Sequence, residues 1–303
     1  QAPVPVELLK LRSLTVMQSL QELLRIANRV DRNRRTVYIQ LLEDPFPDEE
    51  VLSAILNYLT AFFRLPLKVT YTSWQVMGLQ TRPGRGGFGD IQLSMDDLLF
   101  WLKRNVPDDA YCIAAITMID LFVPSTTSWD YIPGRSHYTQ RHGACSLSRL
   151  RSEVDWKFEP CSRGKFLRRC FKLTSHEVAH MFGLKHCVES TCRMAGTMSL
   201  EHHDATTLFF CTKCEAKLHR VSNWSSGDMH KRAKDMATVL ENCCTDAEFE
   251  EEVADLRSRG GTAYKSQPIM CSPCMKITSE PQRGVREASL HRPKQKQSSH
   301  GRS

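Results

Sequence analysis

The chain has 303 residues, 41% of them hydrophobic, with 41 Lys+Arg against 34 Asp+Glu and 12 cysteines. That is enough for a sizeable core in one or two domains. The longest apolar runs, such as Tyr111 to Val123 with Asp120 inside it, fall short of the roughly 20 residues that cross a bilayer, so no transmembrane helix is expected.

From Glu7, ELLKLRSLTVMQSLQELLRIA repeats leucine at steps of three and four, which predicts an amphipathic helix within an N-terminal segment, residues 1–35. The chain starts at Gln1, and no secretory pattern appears in the residues themselves. TVYIQLLED from Thr36 reads as a strand. PDEEVLSAILNYLTAFFRL opens with Pro and acids, as helix N-termini prefer, and carries a stripe of Leu52, Ile55, Leu56, Leu59 and Phe62.

LKVTYTSWQV alternates and predicts a second strand, and TRPGRGGFG predicts a loop. SMDDLLFWLKRNV has a Ser cap and an acidic first turn, so it predicts a helix. AYCIAAITMIDLFV predicts one buried strand flanked by covering helices. Alternating strands and helices give an α/β layer, a mixed β-sheet with packed helices, over residues 36 to about 130.

Residues 131–170 lack clear periodicity and are basic, with 9 Lys+Arg against 3 Asp+Glu. From Phe171 the pattern turns helical, and two late helices are predicted in SSGDMHKRAKDMATVLENCC and DAEFEEEVADLRSRG. The last 29 residues, 275–303, hold 7 basic against 2 acidic groups, and their Ser, Gln, Pro and Lys cannot offset the entropy of ordering. They read as a solvated, disordered tail, so nucleic acid is not an expected partner.

HEVAHMFGLKHC, from His176 to Cys187, carries the chemistry. On a helix, residues four apart differ by about 40° in direction, so His176 and His180 share a face and can grip one ion. Glu177 projects about 100° further round, where a carboxylate can take a proton from water that the ion holds. Gly183 suits the left-handed turn that ends a helix, and the reversing chain can return His186 to the same ion. Three histidines and an open position describe a catalytic zinc, which acidifies its water towards a pKa of about 7. HExxHxxGxxH is the signature of metzincin proteases.

Cys187 has no place on that ion. With Cys192, and with Cys211 and Cys214 about twenty residues on, it makes the paired layout of a closed four-thiolate zinc site. Cys271 and Cys274 form a lone CxxC beside the tail, and the adjacent Cys243 and Cys244 default to buried thiols.

HEVAHMFGLKHC, then CRM at Cys192 to Met194, then CTKC, resembles the archaemetzincins, whose extended motif is HExxHxxGxxHC followed by CxM and CxxC. ITMIDLFVP and WDYI at Trp129 are similar to vertebrate members. The specific motif covers residues 176–214, with weaker similarity over 36–132. The resemblance implies a metzincin-like catalytic domain, residues 36–274, with an HExxH active-site helix and a C-terminal subdomain stabilised by four cysteines. It implies two Zn(2+) ions per chain: His176, His180 and His186 on the catalytic zinc, with Glu177 as general base, and Cys187, Cys192, Cys211 and Cys214 on the structural one. Met194 is the implied turn beneath the catalytic metal, with Met198 a rival on sequence alone.

The implied activity is that of a zinc metalloprotease or aminopeptidase-like enzyme on peptides, with no membrane partner. Thiolate sites favour an intracellular setting, cytoplasmic or nuclear. Metzincins also pair an extended substrate with a sheet-edge strand ahead of the active-site helix. Residues 131–170 show no convincing alternating strand, WKFE being the best candidate, so a zinc-binding scaffold without a complete cleft is the rival expectation.

Overall fold

The computed structural model describes residues 17–43, 46–125, 130–151, 163–243 and 247–260. WKFE, Trp129, Cys244, Cys271, Cys274 and the basic tail lie outside these residues. A five-stranded sheet is built from β1 (Thr36–Leu41), β2 (Leu67–Tyr71), β5 (Ala110–Thr117), β7 (Gly134–Ser136) and β8 (His142–Ser146), in the order β2-β1-β5-β8-β7. The first four strands in that order are parallel, and β7 runs antiparallel to β8 at the edge. Every residue of β1, β5 and β8 is buried, as expected of parallel strands covered on both faces.

One face packs on α2 (Glu49–Phe63) and α4 (Arg163–Met181), with α7 (Ser226–Cys243) and α8 (Glu250–Gly260) outside α2. Asp48 caps α2 through Val51 N at 3.0 Å, and Glu49 and Glu50 oppose its dipole. Of the stripe read in this helix, Ile55, Leu59 and Phe62 are buried, whereas Leu52 and Leu56 are half-buried. The other face carries α3 (Met95–Arg104), capped by Ser94, and a second sheet of β3 (Thr81–Pro83), β4 (Ile91–Ser94) and β6 (Asp120–Phe122). The fold is the expected mixed α/β arrangement, and no helix among the described residues is long and apolar enough to cross a membrane.

Several elements differ from the sequence reading. AYCIAAITMIDLFV splits into β5 and β6, which belong to different sheets, because the chain bends at Met118–Ile119 where Glu43 accepts from Met118 N at 2.8 Å. The expected loop TRPGRGGFG begins with β3, paired with β4. Residues 131–170 hold β7, β8 and the first turns of α4, which starts at Arg163 and not at Phe171. The first helix among the described residues, α1, runs only over Leu20–Ile26, since Ser19 caps it through Glu22 N. The remaining helices are α5 (Leu200–Ala205) and α6 (Thr212–Ser222).

Candidate metal centre

His176 and His180 stand on the last two turns of α4, both buried. Each imidazole rests its Nδ1 on a backbone carbonyl, His176 on Arg193 O at 2.9 Å and His180 on Leu184 O at 2.6 Å. A carbonyl only accepts, so Nδ1 carries the hydrogen in both rings and each Nε2 keeps its lone pair. The two Nε2 atoms face one another at 2.9 Å. Two lone pairs repel at that separation unless a cation lies between them, so the donor set fits zinc. Burial holds both rings neutral, pushing His180 down to about 3 and His176 well below its usual value. His186 converges on the pair, with one ligand atom from each histidine within 4.8 Å of the others.

The return of His186 depends on Gly183, whose φ is +89°. Leu184 N bonds Ala179 O and Gly183 N bonds His180 O, at 3.3 and 2.8 Å, which is a Schellman close. A side chain at Gly183 would also meet Leu23 and Ala27 of the N-terminal segment at 3.0 Å. That segment clamps the turn: Gln18 donates to Gly183 O at 2.8 Å and accepts from Lys185 N at 3.2 Å, and Lys185 pairs with Glu22.

Glu177 points at β7. Ser136 donates its hydroxyl to Glu177 Oε2 at 2.7 Å, and Gly134 leaves room for the carboxylate, since a Cβ there would lie 2.5 Å from Oε1. Residues two apart on a strand share a face, so Gly134 and Ser136 both turn to α4 while Arg135 turns the other way to Asp96 at 2.7 Å. Gly143, opposite Ser136 on β8, is needed too, because a Cβ there would overlap Ser136 Oγ. Burial pushes Glu177 up to about 7, and the Ser136 hydroxyl and the charges of Arg193 and Arg135 pull the other way.

β7 is therefore the edge strand that the sequence reading did not find. His137 N bonds His142 O and Ser146 N bonds Pro133 O, so the alternation of an antiparallel pair turns the backbone groups of Gly134 and Ser136 outward. That outer edge, unpaired among the described residues, borders a cleft of about 360 Å³ lined by the three histidines, Glu177 and Tyr138. The Tyr138 ring meets His180 edge-on, with centroids 5.1 Å apart.

The four cysteines assemble as their spacing suggested. The sulfurs of Cys187, Cys192, Cys211 and Cys214 lie within 4.8 Å of one another, and none of the four is in a disulfide. The 3.7 Å between Cys187 and Cys211 sulfurs is far beyond an S–S bond. Met194 N and Cys211 N both donate to Cys192 Sγ, at 3.4 and 3.3 Å, as backbone amides do around a thiolate. Such a set fits a second zinc.

One turn ties the two centres together. Cys187 N bonds Met194 O at 2.7 Å, and Cys187 bridges Ala195. The same turn supplies Arg193 O to His176, and Gly196 lies against the His186 ring, where a Cβ would be 3.2 Å from Nδ1. Met194 is fully buried within this turn, while Met198 is 51% exposed. Ser136, Gly134, Gly143, Tyr138 and Arg193 were not found by sequence reasoning. Only Arg193, between Cys192 and Met194, stood inside a recognisable motif.

A family model, "Peptidase family M54", matches residues 94–220. Archaemetzincin-2 of Pongo abelii is 27% identical over 235 residues, covering 66% of this chain and 62% of that protein. Archaemetzincin-2 of Mus musculus is 31% identical over 203 residues, covering 59% of this chain and 54% of the relative. The chain thus spans about three fifths or less of the length of these curated relatives. Among solved structures, archaemetzincin from Methanopyrus kandleri aligns at 21% identity with a TM-score of 0.47, covering 63% of this chain and 97% of that one.

Proposed function

We propose that this chain is a member of the archaemetzincin family and a zinc-dependent metallopeptidase, aminopeptidase-like or acting on small peptides. The observation that carries the reading is the convergence of three imidazoles, two with their Nε2 lone pairs fixed inward, beside a buried Glu177 held by Ser136. Zinc on His176, His180 and His186 would supply Lewis acidity to a peptide carbonyl and acidify a water molecule.

Glu177 would act as the general base, taking a proton from the attacking water at its carboxylate and passing it to the departing amine. Ser136 holds the carboxylate on the side of α4 that faces β7. The outward backbone groups of Gly134 and Ser136 offer pairing to an extended peptide, as edge strands do in peptide recognition. That strand supports a working cleft over a scaffold that keeps metal only for folding. Cys187, Cys192, Cys211 and Cys214 would hold a second zinc with all four positions closed, a folding role. Two ions per chain and a reducing, intracellular setting, cytoplasmic or nuclear, belong to the same proposal.

The test is digestion of a defined peptide mixture by the zinc-loaded protein and by Glu177→Ala. Loss of the base is expected to lower turnover by about 10²-fold or more. Equal turnover by the two proteins would sink the proposal.

A further inference from the structure

Behind His176 the cleft wall holds buried nitrogens that no described residue pairs. Arg193 and His203 are 1% and 6% exposed, and both line the cleft. Arg193 places one Nη on Thr206 Oγ1 at 2.7 Å, but its Nε has no partner. His203 has none for either ring nitrogen. Lys172, below them on α4, donates to the backbone carbonyls of His203 and Asp204 at 3.1 and 2.9 Å. The nearby Asp204 carboxylate is engaged by Arg169 and Lys165. Among the described residues, no carboxylate lies at ion-pair distance from Arg193.

Buried polar atoms are nearly always paired, and a buried donor left without an acceptor forfeits the hydrogen bond it made to water. Three orphan nitrogens on two residues of one wall therefore call for a ligand. The space for one is present, because the cleft runs on into a hollow of about 350 Å³ that shares Ile132, Leu173 and His203 with it. Among the described residues that line that hollow, the arginine, Arg149, is already paired with buried Asp120 at 2.7 Å. A guanidinium with an unpaired Nε can donate to a carboxylate, and the imidazole N–H of His203 on the same wall adds a second donor.

We propose that Arg193 and His203 form a carboxylate-binding subsite, so that this site selects peptides carrying a carboxylate next to the bond to be cleaved. The carboxylate is an Asp or Glu side chain or the free C-terminus. The substrate statement rests on the peptidase reading above, whereas the binding statement does not.

The experiment keeps the two apart by using His186→Ala protein, in which catalytic metal cannot compete for the carboxylate. Histidine imidazole signals are followed by NMR while four probes are added: N-acetyl-aspartate amide against N-acetyl-asparagine amide for a side chain, and N-acetyl-alanine against its amide for a terminus. The His203 signals should move with at least one acid, which should bind at least about tenfold tighter than its amide. Whichever acid does so identifies the source. Arg193→Gln, or Arg193→Lys if the first does not fold, should reduce that preference to near unity. Equal binding of both acids and amides, or a preference unchanged by both Arg193 variants, overturns the subsite. If the subsite binds acids but wild type and Glu177→Ala cleave peptides equally, the peptidase reading fails and the binding site stands.

Discussion

Ser136 and Glu177 meet through a 2.7 Å hydrogen bond that crosses from the edge of the sheet to the metal-binding helix. A hydroxyl donating to a buried carboxylate stabilises its charged form by roughly 1.5–3 kcal/mol. Ser136→Ala should lower kcat about tenfold or more and leave KM within a few-fold. Zinc content should match wild type, because Ser136 touches no histidine ligand. Normal kcat with bound metal would show that the bond does not position the base.

Gly143 supports that bond indirectly. A methyl there would overlap the Ser136 hydroxyl, so Gly143→Ala should displace Ser136 and reproduce much of the loss seen in Ser136→Ala. The two changes act through one contact, so the double variant should be little worse than either single one. Strict additivity in kcat/KM would separate the two positions.

The site was legible where chemistry dictates residue type and spacing, and illegible where the fold imports a neighbour. His176, His180, His186 and the four cysteines sit at intervals set by a helix turn, a Schellman close and a CxxC, all local constraints. Ser136 reaches Glu177 across 41 residues of chain and was invisible. β7 contributes only Gly134, Arg135 and Ser136, too short and too polar to show alternation, and it exists because β8 offers an open edge. β8 itself, HGACS, is buried throughout yet contains only small or polar residues, so no hydrophobic run marks it. Met194 is buried and Met198 exposed, a difference set by the fold and not by spacing, since either spacing is compatible with a turn.

The left-handed Gly183 is expected to be among the least replaceable positions outside the ligands. Gly183→Ala combines a φ of +89° with a 3.0 Å approach to Leu23 and Ala27, and should destabilise the fold by about 1–3 kcal/mol. The denaturant midpoint reports this directly. Metal retention at the three histidines should fall as well, since the turn delivers His186.

Removing a thiolate should be felt at both centres. Cys211→Ser is expected to lower the melting temperature by several degrees and to leave one zinc or less per chain. His186→Ala should lose zinc from the histidine site alone, with the melting temperature much less changed. The asymmetry follows from the 187–195 bridge: the cysteine cluster fixes the turn that carries Arg193 O and Gly196 to the histidines, whereas the His186 ring meets that turn by packing on Gly196. Two zinc ions and an unchanged melting temperature in Cys211→Ser would refute the structural assignment.

Lys172 gives the fold a pH dependence on the alkaline side. Burial, reinforced by Arg193 and Arg168 and opposed by Asp204 and Glu252, pushes its ammonium down from 10.5 to about 7. In the unfolded chain the lysine holds its proton up to its ordinary value. Between about pH 7 and 10.5, therefore, the unfolded state binds more protons than the native one, and stability from this group rises with pH. The stability is fully present above the unfolded value and is lost as pH falls towards the native one. The slope has a ceiling of about 1.4 kcal/mol per pH unit. Lys172→Met keeps the stem and removes the titration, so its stability should vary less between pH 7 and 9 than that of wild type. Urea unfolding at those two pH values measures both slopes, and parallel lines would mean that the native ammonium stays charged on its two carbonyls.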